Sequence, residues 1–385
     1  MIAGIIGSGA MGVGIAQVIA TAGNKVLLLD VNRDTLEAAG RNIRASLDKL
    51  VAKKLLSQQK ADDVFANVTF TQDYSSFSDC TFVLEAIVED LQSKQQLFRE
   101  INLFAPDTCI FASNTSSLSI ASIASACKNP ERFIGIHFFN PATVMQLVEV
   151  IPAVQTRPGL VEEMFDIIKG WGKIPVAAKD TPGFIVNRVA RPFYGEAIRI
   201  MEEGIADCET IDWAMTTIGG FKMGPFALMD FIGHDVNYRV TESVFNSFFY
   251  DPRYKPSFTQ KRLFEAGFYG RKSGRGFYDY TDGATQPKPS KDEQLGNRVV
   301  ERIVAMLINE AADAIAMNIT SEPDLETAMT KGVNYPKGLL AWADEWGIEK
   351  VISVIDGLYE EYHEDRYRVS ALLRRMNREN RTFLS

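Results

Sequence analysis

The chain has 385 residues, 46% hydrophobic and 23% charged, with a formal net charge of −8. That length fits two or three folding units with a sizeable core, and the acidic balance argues against a nucleic-acid partner, which would want a basic face. The four cysteines (Cys80, Cys109, Cys127 and Cys208) include no C-x-x-C pair, and three histidines are too few for a His-rich site, so no metal is expected. No apolar run is long enough to span a bilayer and no leader pattern is apparent. The expectation is a soluble, reducing, cytoplasmic protein with no membrane partner.

In chain order, residues 2–6 are a short apolar run of the kind that forms a buried parallel strand. A glycine-rich turn follows, then a helix over 11–21 and a second apolar strand over 25–30. An amphipathic region runs from Arg33 to Lys60, carrying Arg41, Arg44, Lys49, Lys53 and Lys54. Strands are predicted at 81–86, 109–112, 134–137, 146–151 and 174–178, with helices at 91–104 and 159–171. This alternation predicts a doubly wound α/β domain over 1–180 with a mostly parallel sheet.

After Asp180-Thr181-Pro182-Gly183 the texture becomes helical, and residues 181–280 read as an all-α domain. Residues 281–295 are polar and aperiodic, which predicts a linker. Residues 296–385 are helical again and look like a degenerate copy of the preceding domain. At a constant offset of 114 residues, Glu196-Ala197 matches Glu310-Ala311, Ala214-Met215 matches Ala328-Met329, and Gly224, Asp230 and Gly233 match Gly338, Asp344 and Gly347. Duplication is the expected origin.

Gly7-Ser8-Gly9-Ala10-Met11-Gly12 fits G-x-G-x-x-G between a predicted strand and a predicted helix. Gly7 permits the tight turn, Gly9 lets backbone approach a pyrophosphate, and Gly12 lets helix and strand pack closely. The helix N-terminus offers unpaired N–H groups to phosphate. Asp30, at the end of the second strand, can accept hydrogen bonds from ribose hydroxyls and would repel a 2′-phosphate, so NAD is favoured over NADP. Asp30 as a plain helix cap is the competing reading.

The segment 134–150 places His137 at a strand end, a turn over 138–141, and Glu149 on the next strand. Histidine suits a general base near neutral pH, and a nearby glutamate would orient it. A lone histidine at a strand end also serves structure. Ser116 reads equally as a helix N-cap, Asn187 as a polar residue at a helix start, Lys94 as a surface lysine, and Arg41 to Lys53 as a solvated helix face.

Taken together, several motifs resemble the 3-hydroxyacyl-CoA dehydrogenase family. They are Gly7–Ala16, Glu85–Glu89, Ser113–Ser117, His137–Pro141 with Leu147–Val150, Asp180–Arg188, Met223–Phe226 and Lys272–Tyr278. The resemblance implies that His137 takes the proton of a substrate 3-hydroxyl while the C3 hydride goes to NAD, with Glu149 paired to it. It implies that Ser116 and Asn187 bond the reacting oxygen and the thioester region, and that Asn140 lies at the nicotinamide end. Gly7, Gly9, Ala10, Met11, Gly12, Asp30, Glu89, Lys94, Ser116 and Lys272 would contact NAD, and Ser46 and Lys53 coenzyme A. Small family members dimerise through one helical domain. The second copy here, in which Asn297-Arg298 echoes Asn187-Arg188, is expected to replace that partner as an intramolecular pseudo-dimer, a homodimer being the alternative. A dehydrogenase of a free hydroxy acid such as L-gulonate, and a non-catalytic relative, are the competing functional readings.

Overall fold

The computed structural model describes residues 1–384. Two compact units divide the chain after Phe184.

The first unit is built on an eight-stranded sheet. Its strands are β1 (Ile2–Ile6), β2 (Lys25–Leu29), β3 (Val68–Thr71), β4 (Phe82–Glu85), β5 (Ile110–Ser113), β6 (Phe133–Phe138), β7 (Leu147–Pro152) and β8 (Ile174–Ala177). They lie in the order β3-β2-β1-β4-β5-β6-β7-β8. All neighbouring pairs are parallel except β6–β7, a hairpin. The helices of this unit are α1 (Ala10–Thr21), α2 (Arg33–Ala52), α3 (Gln58–Ala66), α4 (Leu91–Ile101), α5 (Ile120–Ala124) and α6 (Leu160–Gly170). Strand order reverses between β1 and β4, and the crevice beyond their carboxyl ends is where ligands bind in open sheets of this type.

The expected strands and helices stand within a few residues, with two corrections. The amphipathic stretch over 33–60 is two helices. α2 ends at Ala52, Lys54 turns left-handed at φ 58°, and α3 restarts with the Ser57 side chain accepting from Lys60 N at 3.2 Å. The strand β3 is not among the expected ones; its Val-Thr-Phe-Thr segment lacks the continuous apolar run that marks the others. Its register beside β2 supplies the partners that settle it.

The second unit is helical. Its elements are α7 (Val186–Val189), α8 (Arg191–Glu202), α9 (Cys208–Trp213) continued by a π turn over Ala214–Ile218, α10 (Pro225–Ile232), α11 (His234–Ser247) and α12 (Phe258–Glu265), then α13 (Glu293–Ala316), α14 (Glu322–Gly332), α15 (Leu339–Trp346), α16 (Ile348–Tyr362) and α17 (Ala371–Glu379). The helix expected from 296 begins at Glu293, because Asp292 caps it by accepting from Gln294 N and Leu295 N.

The 114-residue offset recurs in the element boundaries. α9 and α14 start at 208 and 322, α10 and α15 cover 225–232 and 339–346, and α11 and α16 start at 234 and 348. Capping recurs too. Asp212 accepts from Phe226 N and Ala227 N, each at 2.9 Å; Glu326 accepts from Leu340 N at 2.8 Å and Ala341 N at 3.2 Å. Asp230 accepts from the N–H groups of Phe277 and Tyr278, and Asp344 from those of Phe383 and Leu384. α13 packs along α8 and is buried around most of its girth.

Candidate active site

The glycine turn joins β1 to α1. Gly7 has φ +101°, and its N–H donates to Leu29 O at 2.8 Å. A Cβ on Gly12 would lie 1.8 Å from Gly7 O, so turn and helix pack as closely as glycine allows; Gly9 faces open space. A cleft of about 590 Å³ opens beside the turn, lined by Gly7, Gly9, Asp30, Val31, Ile87 and Leu97 among others. Ala10 and Met11 form the first turn of α1. Asp30 closes the cleft at the end of β2. Its Oδ2 accepts from Ser8 N and Ser8 Oγ, both at 2.8 Å, and its Oδ1 from Asn32 N at 3.0 Å. Burial alone would raise this carboxyl; the donated hydrogen bonds outweigh it and hold the group below the usual carboxylate range. Asn32, not Asp30, caps α2, which removes the plain-cap reading. An open backbone cradle at a helix N-terminus next to an ionised carboxylate fits a dinucleotide.

Beyond β4 and β5 lies a second polar cluster. Glu85 ends β4 fully buried, where an isolated carboxylate would be costly. Lys94 of α4 meets it directly and also pairs with Glu89 at 3.3 Å. Lys94 is 1% exposed, so the expectation of a surface lysine is overturned: two carboxylates hold its ammonium inside. Glu89 gathers the loop after β5, accepting from Thr115 Oγ1 at 2.6 Å, Ser116 N at 2.9 Å and Ser117 N at 3.1 Å. Burial would raise its carboxyl, but Lys94 and these donors hold it low. Ser116 caps nothing; α5 starts at Ile120 and is capped by Ser119. The Ser116 hydroxyl instead lies 3.3 Å from Glu89 Oε1.

His137 ends β6, opposite Glu149 of β7 in the antiparallel register. Its Nδ1 is 2.6 Å from Glu149 Oε2. Both side chains are buried, and the rings of Phe139 and Phe184 stand 4.5 and 5.9 Å from the imidazole. Facing a carboxylate, Nδ1 carries the proton, which leaves Nε2 as an acceptor. Asn114 Oδ1 accepts from Phe138 N at 2.8 Å and so ties the serine loop to the histidine strand. Asn140, exposed, follows in the turn with a cis bond to Pro141. Lys173 steadies that turn by donating to Ala142 O and Met145 O at 2.6 and 2.7 Å, and burial keeps its ammonium below the ordinary lysine range.

The first unit therefore brings the glycine turn, Asp30, Glu89, Lys94, Ser116, His137, Asn140 and Glu149 to the carboxyl edge of one sheet and the hairpin beside it. Ser46 and Lys53 lie on α2 and at its C-cap. Asn187 is the second residue of α7, half-buried, and Lys272 pairs with Asp235; both belong to the helical unit. Sequence reasoning missed Ser8, Asn114, Thr115 and Lys173. The run Ser113–Ser117 after a strand was the only signal for two of them.

A dinucleotide cradle and a buried His–Glu pair on one doubly wound sheet define an NAD-dependent dehydrogenase. The NAD-binding domain model of 3-hydroxyacyl-CoA dehydrogenase matches residues 2–181, and the C-terminal domain model of the same family matches residues 183–280 and 299–383. The chain belongs to the 3-hydroxyacyl-CoA dehydrogenase family. It is 36% identical to the 3-hydroxyadipyl-CoA dehydrogenase of Escherichia coli K12, over 96% of each chain. It is 43% identical to human mitochondrial hydroxyacyl-coenzyme A dehydrogenase, over 72% of this chain and 90% of that one. The crystal structure of 3-hydroxybutyryl-CoA dehydrogenase from E. coli K12 superposes with a TM-score of 0.93 at 34% identity, covering 98% of each chain. No helix of the described residues is long and apolar enough to cross a membrane.

Proposed function

We propose that this protein reversibly oxidises (S)-3-hydroxyacyl-CoA to 3-ketoacyl-CoA, with His137 as the general base. The observation that carries the reading is the 2.6 Å contact between His137 Nδ1 and Glu149. When bound, NAD supplies the acceptor for the C3 hydride. His137 Nε2 takes the hydroxyl proton, and Glu149 stabilises the imidazolium that results. Ser116 and Asn187 donate to the reacting oxygen and the thioester region, where negative charge develops. Asn140 would contact the nicotinamide end of bound NAD. Gly7, Gly9, Ala10, Met11 and Gly12 hold the pyrophosphate, Asp30 the adenosine ribose, and Glu89 and Lys272 complete the cofactor contacts. Lys94 acts through Glu89, keeping that carboxylate ionised. Ser46, Lys53 and the exposed cations of α2 receive the anionic coenzyme A.

The test is NADH consumption across 3-ketoacyl-CoA substrates, acetoacetyl-CoA and 3-oxoadipyl-CoA among them, for the protein and for His137→Gln. Turnover that survives the substitution ends the assignment.

We further infer that residues 181–280 and 296–385 are two copies of one helical domain, joined by a linker over 281–295. The second copy serves as the partner surface of the first, making the chain a monomeric pseudo-dimer. Reciprocal ion pairs support this. Arg188 Nε lies 2.7 Å from Glu310 Oε1, and Arg302 Nε lies 3.1 Å from Glu196 Oε2. Arg188 and Arg302 are 114 residues apart, as are Glu196 and Glu310. Exchange of equivalent residues is the mark of a two-fold interface. Arg302, rather than Arg298, is then the counterpart of Arg188. Light scattering decides: a tight homodimer sinks this reading. A cytoplasmic location goes with it, in keeping with four free thiols.

A further inference from the structure

The two halves of the helical unit share a scaffold but not an interior. Arg191 on α8 is 6% exposed, and its Nε has no partner. Its one hydrogen bond among the described residues is from Nη1 to Thr241 Oγ1 at 3.1 Å; Thr241 in turn donates to Asn237 O, and Gln260 Nε2 donates to Asn237 Oδ1 at 2.9 Å. His234 joins this core through Asp230, 2.8 Å away. At the 114-residue offset the equivalents of Arg191, His234, Asn237 and Thr241 are Ala305, Ile348, Val351 and Ile355, all buried and apolar. Gln260 sits three residues past the cap Ser257, and Leu373 three past the equivalent cap Ser370. The fold therefore closes equally well without a single one of these polar groups, and their burial needs a reason outside the fold.

A cavity of about 160 Å³ lies against them. Five cations line it: Arg191, Arg199, Arg253, Lys255 and Arg366. Arg199 is paired with Glu196, Arg253 with Asp313 and Glu310, and Arg366 with Glu364. The lining carboxylate, Glu202, is held by the hydroxyls of Ser257 and Thr259. Arg191 alone among the lining arginines has no carboxylate partner among the described residues; the Thr241 hydroxyl and the Tyr194 ring, 4.9 Å from its guanidinium, compensate it in part. We propose that this cavity binds a carboxylate, received by Arg191, whose guanidinium the Thr241 hydroxyl holds in place. A guanidinium fork matches carboxylate geometry, and the free Nε completes a two-point contact. Desolvation holds the Arg191 guanidinium below the ordinary arginine range, the strain that a bound anion relieves.

The carboxylate has two sources, a free dicarboxylate or the second carboxylate of a dicarboxylic acyl-CoA. The latter rests on the acyl-CoA reading above. The double variant Arg191→Ala/Thr241→Ile copies the second half of the unit, so it and Arg191→Ala should fold with a melting temperature near that of the parent, whereas Thr241→Ile alone, which strands the guanidinium, should lower it. Calorimetric titration with adipate tests the free ligand. Kinetics with 3-oxoadipyl-CoA and acetoacetyl-CoA test the acyl one. For a substrate carboxylate, Arg191→Ala raises KM for 3-oxoadipyl-CoA about tenfold or more and leaves acetoacetyl-CoA within about twofold. For a free carboxylate, adipate binding is lost while substrate preference is unchanged. Variants equal to the parent in both assays overturn the site, and tighter binding of inorganic phosphate than of adipate overturns the carboxylate assignment. A parent protein inactive on every acyl-CoA removes the acyl reading only, and the adipate titration then decides the site.

Discussion

His137 and Glu149 are twelve residues apart in the chain yet directly opposite across the β6–β7 ladder, with Nδ1 and Oε2 2.6 Å apart. Register sets this contact, since a slip of one residue would send one of the two side chains to the opposite face of the sheet. His137→Gln should lower kcat by about 10²–10⁴ while leaving NADH binding, read by fluorescence titration, near that of the parent. Glu149→Gln should lower kcat less, because the base survives without its orienting partner.

Asp30 is ionised throughout the neutral range, because the hydrogen bonds from Ser8 and Asn32 outweigh the effect of its burial. Asp30→Ala should weaken NAD binding about tenfold and bring NADP closer to it. Titrating both cofactors into parent and variant measures the two effects together. Unchanged discrimination against NADP would remove Asp30 from cofactor selection.

Glu310 is 1% exposed and serves Arg188, Arg253 and Tyr254 at once. Removing it strands the buried guanidinium of Arg188 and leaves Arg253 with Asp313 alone. Glu310→Ala should cost about 3–5 kcal/mol in denaturant unfolding. Arg302→Ala, which leaves Glu196 in the mirrored cluster with Arg199 and the Tyr367 hydroxyl, should cost less, and a loss as large as that of Glu310→Ala would mean that these remaining partners do not compensate.

Asp212 caps α10 from a site where burial lifts its carboxyl to about 6, against hydrogen bonds from Phe226, Ala227 and Tyr278 that lower it. A raised folded-state value means that the folded protein binds this proton more tightly than the unfolded chain, whose value is near 3.8. Stability from this group is therefore full below pH 4 and is lost as pH rises to about 6, by roughly 3 kcal/mol. Asp212→Asn should flatten that part of the stability profile. Parallel slopes for parent and variant between pH 4 and 6 would refute the assignment.

The cofactor half of the site was legible because its chemistry is local. A turn that needs φ +101° at Gly7 and no Cβ at Gly12 must be written in consecutive residues, and Asp30 follows at a spacing fixed by one helix and one strand. Lys94 was misread for the opposite reason. Nothing nearby in sequence says that Glu85 is buried, and only the closing of β4 between β1 and β5 puts it there. Ser116 was ambiguous until the start of α5 was known.

The sequence by itself determined the doubly wound fold class, the dinucleotide turn, and the repeat of helical segments at an offset of 114, since each rests on periodicity or on short contiguous motifs. Tertiary structure alone decided which buried charges meet. Arg188 finds Glu310 and Arg302 finds Glu196 across more than a hundred residues. Arg191 is left without a carboxylate where the matching position holds Ala305. Pairing of a buried charge depends on which side chains share a low-dielectric space, and that is a property of packed helices that no spacing along the chain encodes.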